Sequence, residues 1–109
     1  MIIVEKNEGP KIDYEIKNTD TKKTICFDDD LTINLAKREE DWPVHIDVCY
    51  DADNDLVIGT AAGRRYVAEI DIPAREYTET VDPEDPEKTI REPVPLDLDN
   101  VTLSLWALE

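Results

Sequence analysis

Residues 44–72, VHIDVCYDADNDLVIGTAAGRRYVAEIDI, restrict the chain to a narrow set of folds. Val44, Ile46, Val48 and Tyr50 alternate with His45, Asp47 and Cys49, the two-residue period of a strand with one buried face. Asp51, Asp53, Asn54 and Asp55 supply turn chemistry, because short carboxylate and amide side chains bond back to nearby backbone N–H groups and tolerate left-handed backbone. Leu56, Val57 and Ile58 start a return strand that Ala61, Ala62 and Gly63 end, with Gly63 suited to positive φ. In a third strand Tyr66, Ala68, Ile70 and Ile72 share one face and Val67, Glu69 and Asp71 the other. Pro73 then removes a ladder donor. The stretch predicts a three-stranded antiparallel meander to which the rest of the chain adds strands.

The flanking segments repeat the pattern. Ile2 to Glu5 reads as a short strand and residues 7–10 as a turn; Ile12, Tyr14 and Ile16 alternate with charged residues, and Ile25 and Phe27 lie opposite Thr24 and Cys26. Residues 31–41 carry two signals. Leu31, Ile33 and Leu35 alternate as in a strand, whereas Ala36 to Glu40 are good helix formers; the alternation favours a strand to about residue 36, then a charged loop. Trp42 is expected to pack over one end of the core. In the last strand Val101, Leu103, Leu105 and Ala107 face one way and Trp106 and Leu108 the other, an arrangement that predicts cover on both sides, by the arm or by another subunit. The count is about seven or eight strands in one all-β domain spanning 1–109, an antiparallel sandwich or small barrel with at most one short helix.

Residues 75–95 differ in character. REYTETV and KTIREPV are polar, strand-capable segments around the proline-punctuated acidic tip Asp82–Glu87. Their few large apolar side chains cannot cover two faces, so the segment is expected to project as a hairpin arm. Tyr77, Glu79, Val81, Ile90 and Arg91 of the arm, with Trp106 and Leu108, are the candidate interaction residues.

Charge narrows the function classes. Twenty-seven Asp and Glu against 12 Lys and Arg give a net charge of -15, beyond the magnitude of about 2–8 suited to the solubility of a small domain. Such a field repels phosphates and anionic membranes and attracts basic surfaces or cations, so neither nucleic acid nor membrane is an expected partner. Three glycines leave no phosphate-cradling loop. The first six residues hold too few apolar side chains for a signal-peptide core, which predicts a cytoplasmic protein, and Cys26 and Cys49 are expected as free thiols.

No constellation carries catalysis on sequence grounds. His45, Asp47 and Cys49 share a strand face, but positions two apart stand roughly 6.5–7 Å from one another, farther than a base and nucleophile require. Asp51, Asp53 and Asp55 match the start of a calcium loop, yet Leu56 and Ala62 stand where Gly and Glu are needed. The acidic runs 28–30, 39–41 and 82–87 read as solvated. The expectation is a non-enzymatic protein with no cofactor or metal: an assembly subunit, as in a phage or other multiprotein particle, that self-associates into a homo-oligomer. The alternative is an acidic inhibitor or immunity-like protein that covers a basic protein surface.

Overall fold

The computed structural model describes residues 1–108. Its strands are β1 (Ile2–Glu5), β2 (Tyr14–Asn18), β3 (Lys23–Phe27), β4 (Leu31–Asn34), β5 (Val44–Tyr50), β6 (Leu56–Ile58), β7 (Arg65–Ile72), β8 (Tyr77–Val81), β9 (Thr89–Pro93) and β10 (Thr102–Leu105). One helical turn, α1 (Leu35–Arg38), follows β4, and a 3-10 turn spans Leu98–Asn100. The strands form a five-stranded sheet ordered β1-β10-β7-β5-β6, a three-stranded sheet β2-β3-β4 and a separate hairpin β8-β9. The fold is all-β, and among the described residues no sheet closes into a barrel. Ten strands are present among the described residues where about seven or eight were expected, and β1 lies parallel to β10 rather than antiparallel.

The two larger sheets share one core. Ile25 and Phe27 of β3 and Ile33 of β4 are buried with Ile46 and Val48 of β5, Ile70 and Ile72 of β7, and Leu103 and Leu105 of β10. Alternation places these side chains inward because successive residues of a strand point to opposite faces. The expected strand to residue 36 instead stops at Asn34, whose Oδ1 accepts from the Lys37 N–H at 3.1 Å and caps α1. That bond satisfies an otherwise unpaired helical N–H, and the turn brings Leu35 into the core. Trp42, expected over the core, is 61% exposed.

The 44–72 stretch departs from a meander. Both β6 and β7 pair with β5, one on each side, so residues 59–64 must cross β5 to connect them. The crossing passes over Cys49: the Gly59 N–H donates to the Asp47 carbonyl at 2.7 Å, and the Arg64 N–H to the Tyr50 carbonyl at 2.8 Å. Gly59, with φ of 93°, takes the left-handed backbone; Gly63 serves close approach, since a Cβ there would lie 2.8 Å from the Cys49 Cβ. A bulge also breaks the register, because Val48 pairs with Ala68 but Cys49 with Tyr66. The extra residue, Val67, joins Ala68 in the core, and Tyr66 turns outward, reversing the faces expected for both.

The β8–β9 hairpin projects. Every residue of its strands except the half-buried Tyr77 is exposed. A compact chain of this length has a radius of gyration of about 13 Å; here it is 17.3 Å, with extents of 59 × 25 × 23 Å.

Gly63→Ala is expected to destabilise the protein by about 1–3 kcal/mol through overpacking against Cys49, measured as a lower urea midpoint. An unchanged midpoint would mean that the crossing does not press on β5.

Candidate functional site

The outward face of the five-stranded sheet gathers the chain's only histidine among carboxylates. Register causes this: His45 stands opposite Asp71 and Asp47 opposite Glu69, on adjacent same-face positions of β5 and β7. The His45 ring bridges them, with Nδ1 2.6 Å from Asp71 Oδ1 and Nε2 2.8 Å from Asp47 Oδ1 and 3.4 Å from Glu69 Oε1. Backbone spacing alone had set His45 and Asp47 too far apart; their side chains lean together and close the gap. The other Glu69 oxygen, Oε2, accepts from the Trp106 indole N–H at 2.7 Å.

Electrostatics of the cluster favour positive charge at its centre. The His45 pKa is raised, first by its hydrogen bond to Asp71; burial opposes that rise, and the hydrogen bond to Asp47 and the charges of both carboxylates add to it. Cys49, on the same strand, moves the other way chemically. Burial beneath the 59–64 crossing, followed by the nearby charges of Asp47 and Glu69, pushes its thiol pKa up, so the nucleophilic thiolate is disfavoured. Cys49 and Cys26 are both free thiols.

The seven residues singled out for interaction fall into two separate groups. Trp106 and Leu108 lie beyond the end of β10 that pairs with Ala68, whereas the arm leaves from the opposite end of β7. Cover for them comes from within the chain and not from the arm. Tyr66 tilts against Trp106 with ring centroids 6.0 Å apart, the Leu108 N–H donates to the Pro10 carbonyl at 2.8 Å, and the Ala107 N–H donates to Asn7 Oδ1 at 2.7 Å.

On the arm, Tyr77, Glu79 and Val81 share one face with Arg91, while Ile90 pairs with Thr80 on the other. The Arg91 guanidinium lies over the Tyr77 ring, 3.9 Å from its centroid, and Val81 is 61% exposed. The base of the arm is clamped to the loop after α1. Arg75 donates to the Glu39 carbonyl at 2.9 Å and approaches the Glu39 and Asp41 carboxylates at 3.4 and 3.3 Å; the Tyr77 hydroxyl donates to Asp41. The 39–41 run is therefore an anchor, not a merely solvated stretch. No sequence signal paired it with Arg75, 34 to 36 residues away.

The other acidic turns behave as local structure. Asp51 Oδ1 accepts from the N–H groups of Asp53 and Asp55 at 2.8 and 2.9 Å, and Asn54 takes a φ of 61°. At the arm tip, Asp82 and Asp85 accept from Glu84 and Glu87 in the same manner. Compared with known proteins, the chain matches no family model, no curated protein and no solved structure.

The sign of the His45 shift fixes a pH response. A folded-state pKa raised above about 6.5 contributes stability that is fully present below that value and is lost as pH rises through the folded pKa. Between about pH 6 and pH 9 the melting temperature of wild type should therefore fall relative to that of His45→Gln, which lacks the titrating group. Parallel curves for the two proteins in thermal melts would show that the cluster does not hold the proton.

Proposed function

We propose that the chain is a non-enzymatic assembly module that uses the β8–β9 arm to contact a second copy of itself. The exposed arm carries this reading. A two-stranded hairpin alone is marginally stable in water, and this one gains almost no burial from the body, yet its base is fixed by Arg75 and Tyr77. Fixing the base while leaving both outer edges unpaired suits an element that pairs with another chain, since strand edges offer main-chain donors and acceptors. Val81 and Ile90 supply apolar contact, and the acids and prolines of the tip restrict which edge can pair.

The charge supports a second reading, in which the arm or the acidic sheet face covers a basic protein surface. Salt separates the two. Copies carrying a net charge of -15 repel, so self-association should strengthen from about 0.05 to 0.5 M salt as screening removes the repulsion, whereas capture of a basic partner should weaken.

Excision of Thr78–Glu92 tests the arm directly. Tyr77 and Pro93 are directly paired, so a two-glycine link closes the gap. The melting temperature should stay within about 5 °C, because little burial is lost, while light scattering should report loss of association. Unaltered association without the arm, or a full-length protein that stays monomeric at every salt and concentration, would overturn the assembly reading.

A further inference from the structure

We propose that His45, Asp47 and Glu69 form a binding site for a divalent first-row transition cation, with zinc as the probe. One donor atom from each of His45, Asp47 and Glu69 lies within 4.8 Å of the other two. For ligands about 2.1 Å from zinc, neighbouring donors are separated by about 3.0 Å in an octahedron and about 3.4 Å in a tetrahedron. The observed separations from Nε2, 2.8 Å to Asp47 and 3.4 Å to Glu69, fall near that range, and the 2.8 Å contact is the hydrogen bond that an ion would replace.

Each ligand is oriented by a partner outside the donor set. Asp71 accepts from His45 Nδ1 at 2.6 Å, so an ion that displaces the Nε2 proton shared with Asp47 meets a ring already oriented for it. Imidazoles that bind metals commonly donate the other ring N–H to a carboxylate in this way. Trp106, arriving from beyond β10, holds Glu69 Oε2 at 2.7 Å and leaves Oε1 toward the centre. The indole is a neutral donor from a third segment of the chain and is no part of the acidic cluster. Asp47 and Glu69 are also directly cross-strand, where two like charges are unfavourable; the His45 ring meets that charge in this structure, and a divalent ion would meet more of it.

One nitrogen and two oxygens suit a borderline ion such as zinc, and the nitrogen selects against calcium and magnesium, which prefer all-oxygen sets. The His45 side chain is 46% exposed, so water can fill the remaining coordination positions. The site is independent of the arm and of the assembly reading.

Titration calorimetry of the full chain with zinc chloride at about pH 8 tests the site. One zinc per chain is expected. His45→Gln and Glu69→Gln should each weaken binding at least about tenfold, and Trp106→Phe, which removes the orienting N–H together with part of the ring packed against Tyr66, by about tenfold, the scale of outer-shell losses. Asp53→Asn should leave binding unchanged, because that residue belongs to the separate Asp51–Asp55 turn. Nitrogen NMR of wild type gives a readout free of folding effects, with the His45 Nε2 resonance shifting on zinc addition and Nδ1 keeping its proton. Wild-type affinity in His45→Gln, loss of binding in Asp53→Asn, an unmoved Nε2 resonance or several weak equivalent sites would each overturn the proposal.

Discussion

The pairing of β5 with β7 is the constraint on which the rest depends. It places Ile46 opposite Ile70 and Val44 opposite Ile72 on the inner face, and in the same register His45 opposite Asp71 and Asp47 opposite Glu69 on the outer face. Core and cluster are two sides of one alignment. A slip of one residue would exchange them, burying carboxylates and exposing isoleucines, so the burial of the inner row holds the outer row in place. The carboxylates thus stay close together although their mutual repulsion opposes it.

The arm follows a different logic. Its strands contribute almost nothing to the shared core, so its attitude to the body is fixed at the base by charge-assisted bonds. Arg75 suits the position because its planar fork reaches a carbonyl and two carboxylates at once. The clamp depends on α1, since the helical turn delivers Glu39 to Asp41 beside Arg75. A strand continued through residue 36 would have carried them elsewhere. The Asn34 cap is therefore coupled to the attitude of an element more than 40 residues later in the chain.

Much of the fold was legible in the sequence because period-two alternation is a local signal. It identified β5, β7 and β10, the outward row of His45, Asp47 and Cys49, and the arm with its acidic tip. What it missed was non-local. Pairing of β7 with β5 instead of β6 leaves no mark in the sequence, and neither does the bulge that sends Val67 inward and Tyr66 outward. The same blindness hid the cluster: His45 and Asp47 were visible on one strand, but Glu69 and Asp71 join them only through cross-strand register. Trp106 read as an apolar residue seeking cover, whereas its N–H is committed to Glu69. Two signals competed at residues 31–41, and the cap at Asn34 decided between them.

The parallel pairing of β1 with β10 has a consequence in time. Ile2 stands beside Thr102 and Glu5 beside Leu105, so β1 must await a partner strand made 100 residues after it. At about 5–20 residues per second that interval lasts several seconds or more. Through it Ile2, Ile3 and Val4 have no strand to pair with, and the five-stranded sheet lacks one edge. The neighbouring Glu5, Lys6 and Glu8 then act as charged gatekeepers, protecting an apolar strand from foreign partners until its own has been made.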